Sequence, residues 1–351
     1  MRTLIVGDHF VGIDLFRDAI ARELGDDFGP LSEVMWAGAD REEQHEAQQV
    51  MEKKGPGAVE TPTEIIDTVG DAELLVVHFA PVPAEVFEAA DQLKAVVVAR
   101  TGVENIEIEE ASQRGIAVVN IYGRNANAVA EQAIGLMLAE TRDLARADAA
   151  IKAGGWPEAT VSPVFELADK TIGVVGFGNV GRKLARRLTG FDVRLLVFDP
   201  YVDAETISEH GGEKVDDLAR IFEEGDVVAL HARLTDETER FIGRELFDLM
   251  KPTAYFINNA RSRMVDYEAL YEVLREERIA GAGIDVHDDE PLPDDSPWRE
   301  LRNVTLSPHT AGATPECWEN SAQLVAEAMS ELTEHGRAEN TVNARALEEH
   351  A

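Results

Sequence analysis

Cysteine is almost absent from this chain of 351 residues: Cys317 stands alone. A single thiol excludes an internal disulfide framework and leaves too few ligands for a structural zinc site. No run is long and apolar enough to span a membrane. The N-terminal MRTLIVGDHF has no apolar signal-peptide region followed by a small-residue cleavage site, so Thr3 to Val6 is expected to be a first strand and the protein to be cytoplasmic. Basic residues are also few, 33 against 67 acidic ones, for a formal net charge of −34. Such a field repels nucleic acid and acidic membranes. The acids are spread along the chain and 44% of residues are hydrophobic, which does not describe a disordered acidic tail. Internal repeats and low-complexity segments are missing too.

What is present centres on residues 172–199, IGVVGFGNVGRKLARRLTGFDVRLLVFD. An apolar run, Ile172 to Val175, reads as a buried parallel strand. It meets Gly176-Phe177-Gly178-Asn179-Val180-Gly181, a G-x-G-x-x-G. A helical pattern follows (Val180, Leu184, Leu188), then a second apolar run ending at Asp199. Strand, glycine turn, helix, strand and acid in this order make a dinucleotide fingerprint, where the glycines alone would be weak evidence. Gly176 permits a tight turn, Gly178 lets backbone approach a pyrophosphate, and Gly181 lets the helix pack against the strand. The helix N-terminus offers N–H groups to phosphate. Asp199 stands where a carboxylate accepts hydrogen bonds from an adenosine ribose and repels a 2′-phosphate, which favours NAD over NADP.

Residues 1–120 read as a separate α/β unit. Strands are expected at 3–6, 33–36, 74–79, 95–99 and 116–120, with helices over 16–24 and 40–54. LLVVHF and AVVVA are continuous apolar runs, typical of strands buried on both faces. Residues 124–153 read as one long helix, stopped by Ala153-Gly154-Gly155-Trp156-Pro157. Six parallel strands follow, at 172–176, 193–198, 226–231, 253–258, 280–285 and 304–307, as in the doubly wound dinucleotide fold. A last amphipathic helix covers roughly 315–335, and the polar tail from His335 is expected to be loose.

Three stretches lie past strand ends of the second unit: Asn258-Asn259-Ala260-Arg261, Asp285-Val286-His287-Asp288-Asp289-Glu290, and Ser307-Pro308-His309-Thr310. One guanidinium, one carboxylate and one imidazole are thereby offered to a ligand. By position alone, Asp288 and Asp289 compete with Glu290, and His231 competes with His309. His78 and His287 read as structural or solvent-facing residues, and Cys317 and the tryptophans as core or interface residues.

The glycine motif, NNARSRMVD, GAGIDVHDDEPLP and SPHTAGAT together resemble the D-isomer-specific 2-hydroxyacid dehydrogenase family, close to its phosphoglycerate-dehydrogenase-like branch. The resemblance implies an α/β protein with two Rossmann-like doubly wound domains. The NAD-binding domain, 121–312, would be inserted into a flavodoxin-like substrate domain made of 1–120 and 313–351. It implies hydride transfer between nicotinamide C4 and C2 of a 2-hydroxy or 2-oxo acid, with Arg261, Glu290 and His309 as the catalytic set. Arg261 would bind the substrate carboxylate and polarise the carbonyl. His309 would act as acid and base, and Glu290 would orient its ring. The backbone of Thr101 and Gly102 would hold the substrate carboxylate. Gly176, Gly178, Asn179, Val180, Gly181, Asp199, Asn259, Ala260 and Asp285 would line the cofactor.

The family also implies a homodimer, to which the helix at 124–153 would contribute. Within the resemblance, phosphoglycerate dehydrogenases, glyoxylate or hydroxypyruvate reductases and a non-catalytic NAD-sensing protein are the alternatives. Arg233 stands where the family commonly has proline, and His287 where it often has phenylalanine. His78 replaces an arginine of the phosphoglycerate enzymes, which weighs against a phosphorylated substrate unless Arg100 or Arg124 substitutes for it. The abundance of acid with scarce lysine resembles proteins of salt-accumulating halophilic archaea.

Overall fold

The computed structural model describes residues 1–25, 28–36, 40–156 and 162–350. The chain divides into two compact units, Met1–Arg124 with Thr314–Ala351, and Asn125–Ala313. Among the described residues no helix is long and apolar enough to cross a membrane. Pro157 of the expected helix stop lies outside the described residues.

The first unit is built on strands β1 (Thr3–Gly7), β2 (Leu31–Met35), β3 (Leu74–Val77), β4 (Ala95–Val98) and β5 (Ala117–Asn120). They pair in parallel in the order β2-β1-β3-β4-β5, the flavodoxin-like order. Alternate side chains face opposite sides. Leu4, Val6, Leu75, Val77, Val96 and Val98 join one core. Ile5, Leu74, Val76, Val97 and Val119 join another, with Phe16 and Ile20 of the helix Ile13–Leu24 and Val325 and Met329 of the helix Pro315–His335. The C-terminal helix thus returns to the first unit because its apolar stripe, Ala322, Val325, Ala326 and Met329, completes that core.

The tail beyond His335 departs from the sequence reading, for it is anchored. Thr341 pairs antiparallel with Val119. The buried Asn343 accepts a hydrogen bond from the Val118 amide (2.9 Å) and donates to the Ile116 carbonyl (2.9 Å) and Ser112 Oγ (3.0 Å). A helix, Ala344–His350, follows. Composition could not show this: the open edge of β5 is satisfied by the backbone of Asn340 and Val342 together with one polar side chain, Asn343.

The second unit carries β6 (Thr171–Val175), β7 (Arg194–Phe198), β8 (Gly212–Lys214), β9 (Val227–Leu230), β10 (Tyr255–Asn258), β11 (Gly281–Ile284) and β12 (Val304–Leu306). They run parallel in the order β12-β11-β10-β9-β6-β7-β8. The order reverses between β6 and β9, which is the switch point where this class of sheet binds dinucleotides. The sheet has seven strands among the described residues, one more than the sequence pattern suggests. The extra strand, β8, is a short Gly-Glu-Lys edge strand with no apolar run to announce it.

The long helix of the sequence reading is two helices, Ala126–Thr141 and Leu144–Lys152. The first buries Ala130, Ala133, Leu136 and Met137 against Ile172, Val174, Tyr255 and Ile257. The break falls at Asp143, which takes a left-handed backbone (φ 57°). Neither glycine nor proline marks it. Arg146 folds back to pair with Asp143 and, at 3.2 Å, with the fully buried Glu140, whose carboxyl is pushed upward by burial and drawn down by that guanidinium.

Candidate active site

The fingerprint glycines occupy the places their chemistry requires. Gly176 has φ 96°, and a Cβ there would lie 2.5 Å from the Ala232 nitrogen. A Cβ on Gly181 would run into the Gly176 carbonyl oxygen. Gly178 instead faces open space, with no atom within 4 Å of its missing Cβ. It precedes the helix Asn179–Leu188, which no side chain caps. Exposed Asn179 and half-buried Val180 begin that helix. Backbone N–H groups and open room therefore coincide at a positive helix end, which fits a pyrophosphate.

Asp199 follows β7. Its Oδ2 accepts from the Phe177 amide at 2.7 Å and its Oδ1 from the Tyr201 and Val202 amides at 2.9 and 3.2 Å. The carboxylate is thereby fixed beside the glycine turn. At the end of β9, the His231 amide donates to the Val175 carbonyl, closing the switch point. Both His231 ring nitrogens are buried without a hydrogen-bond partner among the described residues. Burial pushes that imidazole down to about 4, so the rival to His309 is a neutral, enclosed ring.

Beyond β10, buried Asn259 donates through Nδ2 to the Val129 carbonyl (2.9 Å) and to Gln132 Oε1 (3.3 Å), and its Oδ1 is buried without a partner. The half-buried Ala260 amide donates to Asn258 Oδ1. Arg261 is exposed, and among the described residues its guanidinium donates only to the Ala260 carbonyl in its own loop (2.7 Å), leaving most of its planar fork open to a ligand.

Beyond β11, Asp285 is completely buried. Its Oδ1 accepts from Gln132 Nε2 (2.8 Å), Ser307 Oγ (2.6 Å) and the Thr310 amide (3.1 Å), and its Oδ2 from the Ala311 amide (2.9 Å). Asp285 thus clamps the turn that carries His309, which sits at φ 54°. His309 Nδ1 lies 2.7 Å from Glu290 Oε2. The other Glu290 oxygen accepts from the His287 amide (2.9 Å), and His287 Nε2 lies 2.9 Å from the Ser307 carbonyl oxygen. Of the three neighbouring acids, Glu290 is the one bonded to the imidazole. Gln132 and Ser307 are the supporting residues that spacing did not reveal. Gln132 lies on a distant helix, and Ser307 stands unremarked inside the SPHTAG motif.

Thr101 and Gly102 belong to the first unit, on the loop after β4. Thr101 Oγ1 donates to the Ile121 carbonyl (3.1 Å), and Asn120 Nδ2 donates to the Thr101 carbonyl (2.6 Å). His78 and Cys317 are buried, as is Trp36, whereas Trp156 is 82% exposed and belongs to no core.

Residues 134–311 match the family described as "D-isomer specific 2-hydroxyacid dehydrogenase, NAD binding domain". The chain belongs to that family. The D-3-phosphoglycerate dehydrogenase of Methanocaldococcus jannaschii is 38% identical to it over 284 residues, 81% of this chain and 54% of the relative. The glyoxylate reductase of Korarchaeum cryptofilum is 40% identical over 267 residues, 75% of this chain and 80% of the relative. The chain therefore spans about half the length of the phosphoglycerate dehydrogenase relative and most of the reductase. The solved structure of D-2-hydroxyisocaproate dehydrogenase shares the fold, with a TM-score of 0.75 over 98% of this chain and all of that one, at 23% identity. The second unit is the family's NAD-binding domain, and the open Gly178 turn, the fixed Asp199 carboxylate and the orphaned Asn259 oxygen all suit that cofactor.

Proposed function

We propose that the protein is an NAD-dependent D-2-hydroxyacid dehydrogenase, or 2-oxo-acid reductase. The observation that carries this reading is the 2.7 Å contact between His309 Nδ1 and Glu290 Oε2. With Nδ1 engaged by a carboxylate, Nε2 is the nitrogen left to exchange a proton with substrate. NAD, when bound, accepts or supplies the hydride. His309 Nε2 gives a proton to the carbonyl oxygen in reduction and removes it from the hydroxyl in oxidation. Glu290, itself held by the His287 amide, fixes the tautomer and plane of the ring. Arg261 pairs with the substrate carboxylate through its planar fork, and on the first unit the Thr101–Gly102 backbone offers N–H groups to a substrate carboxylate. Asp285 keeps the His309 turn in place.

NADH oxidation in molar KCl against glyoxylate, hydroxypyruvate, 3-phosphohydroxypyruvate, pyruvate and longer 2-oxo acids tests the reading. Turnover is expected, and His309→Ala should lower it by roughly 10²- to 10⁴-fold while NADH still binds. Silence across the panel with NADH bound would favour an NAD-sensing protein instead.

The enzyme is a cytoplasmic homodimer on this reading. The helix Leu144–Lys152 buries none of its residues, and Leu144, Ile151 and Trp156 form exposed apolar surface that a second copy would cover. Light scattering should give twice the chain mass, and Ile151→Glu should halve it; a monomeric wild type would refute the dimer.

A further inference from the structure

The loops past β10, β11 and β12 meet at one side chain of the helix Ala126–Thr141. Asn259 Nδ2 donates to Gln132 Oε1 at 3.3 Å, and Gln132 Nε2 lies 2.8 Å from Asp285 Oδ1 and 3.5 Å from Ser307 Oγ. Asn259 also donates to the Val129 carbonyl, one turn earlier on the same helix, at 2.9 Å. Arg261 and His309 stand two residues beyond Asn259 and Ser307. Asp285 holds the Thr310 and Ala311 amides. All of these residues belong to the second unit.

Glycine brings the helix to this place. A Cβ on Gly281 would lie 2.8 Å from Glu140 Oε2, and one on Gly283 would lie 2.9 Å from Leu136 Cβ. Bare backbone at these two positions lets the helix lie directly on β11. Residues 140, 136 and 132 then step along the helix as residues 281, 283 and 285 step along the strand. Four helical residues rise about 6.0 Å and two strand residues about 6.6 Å, so the two series stay matched. The close contact at Gly283 sets the register, and one further step places Gln132 at Asp285.

An amide has the chemistry this position requires. Its oxygen accepts from Asn259 while its nitrogen donates to a buried carboxylate. A carboxylate in its place would set like charge against Asp285. An apolar side chain would leave Asn259 and Asp285 each one contact short.

We propose that Gln132 is a positioning residue of the active site. It locks the loops that carry Arg261 and His309 into one register, through Asn259 on one side and Asp285 and Ser307 on the other. What that register serves rests on the dehydrogenase reading; the bridge itself does not.

Two measurements on the full chain separate bridge from catalysis. The first is amide hydrogen exchange in Gln132→Met, which keeps the length of the side chain and removes its donor and acceptor. Exchange should quicken in segments 258–262 and 307–313 and keep the wild-type rate in β1, β3 and β4. Wild-type rates in both loops, or equal acceleration throughout the chain, would overturn the bridge. If Gln132→Met does not fold, Gln132→Leu makes the same comparison.

The second measurement is kcat relative to wild type as a function of pH. Gln132→Met should lose about 10- to 100-fold at every pH, the scale of a small misplacement of reacting groups. Gln132→Glu should be rescued by acid. Protonated, the introduced carboxyl offers an acceptor to Asn259 and an O–H to Asp285, as the amide does. Ionised, it repels Asp285, so its pKa in the folded protein is raised and the neutral form persists above the ordinary carboxylate range. Activity relative to wild type should approach one at low pH and fall to that of Gln132→Met, or below it, as pH rises. A residue that only fills space gives no such inflection. A flat ratio for Gln132→Glu, or wild-type turnover in Gln132→Met, would overturn the positioning role. Absence of turnover by the wild type with every acid would refute the dehydrogenase reading, while hydrogen exchange still decides the bridge.

Discussion

Replacement of Asp285 by Asn tests whether the buried clamp holds the His309 turn. Four donors converge on this carboxylate, three on Oδ1 and one on Oδ2. An amide oxygen in the Oδ1 place keeps three acceptor contacts but loses their charge assistance. The amide NH2 in the Oδ2 place then faces the Ala311 N–H, donor against donor. The opposite amide orientation is worse, because it leaves three donors unmet. Relief of carboxylate desolvation opposes these losses, but it is the smaller effect while four donors still point at the position. Weakened contacts and one buried unmet donor together cost about 3–5 kcal/mol, a large share of ordinary stability. Urea unfolding in molar KCl should show a midpoint lower by roughly 1–2 M. The freed Ala311 amide and the weakened Thr310 contact also release the left-handed backbone at His309, which costs about 1–3 kcal/mol to hold, so kcat should fall along with stability. A midpoint within about 0.3 M of wild type would refute the clamp, whatever happens to turnover.

Asp199→Ser should raise the ratio of NADPH to NADH kcat/KM by roughly 10- to 100-fold, since a fixed carboxylate no longer opposes the 2′-phosphate; an unchanged ratio would show that Asp199 does not set cofactor choice. The buried His231 imidazole stays neutral down to about 4 while an unfolded histidine titrates near 6.5. Its folded pKa is depressed, so the unfolded state binds the extra proton. Stability is therefore intact above 6.5 and declines as pH falls toward 4, by an amount on the order of 3 kcal/mol. His231→Gln should flatten that part of the profile, and equal slopes in both proteins would count against it. With a net charge of −34, the chain should also lose stability on dialysis from molar KCl into dilute buffer; a Tm independent of salt would dismiss the halophilic reading.

The candidate site was legible where its chemistry is local. Gly176, Gly178 and Gly181 act within one turn, so their spacing carries their roles. Apolar runs mark the strand ends past which a guanidinium, a group of acids and an imidazole stand, but the assignment of Arg261, Glu290 and His309 as a set came from the family motifs. The choice among Asp288, Asp289 and Glu290 rested on family motifs, and the carboxylate bonded to the imidazole emerges from a loop conformation that neighbouring acids of like charge do not distinguish by themselves.

The sequence by itself determined the parallel α/β architecture, because runs such as LLVV and AVVV can be buried on both faces only inside such sheets, and it determined the dinucleotide turn, because glycine spacing is a backbone property. The tertiary structure alone decided the break at Asp143, the edge strand Gly212–Lys214, the anchoring by Asn343 and the clamp at Asp285. Each of these depends on a polar or charged side chain whose partner is supplied by another turn, strand or helix. Periodicity reports which face of an element avoids water; it carries no information about which distant donor, acceptor or counter-ion will be waiting there, or whether one will be missing.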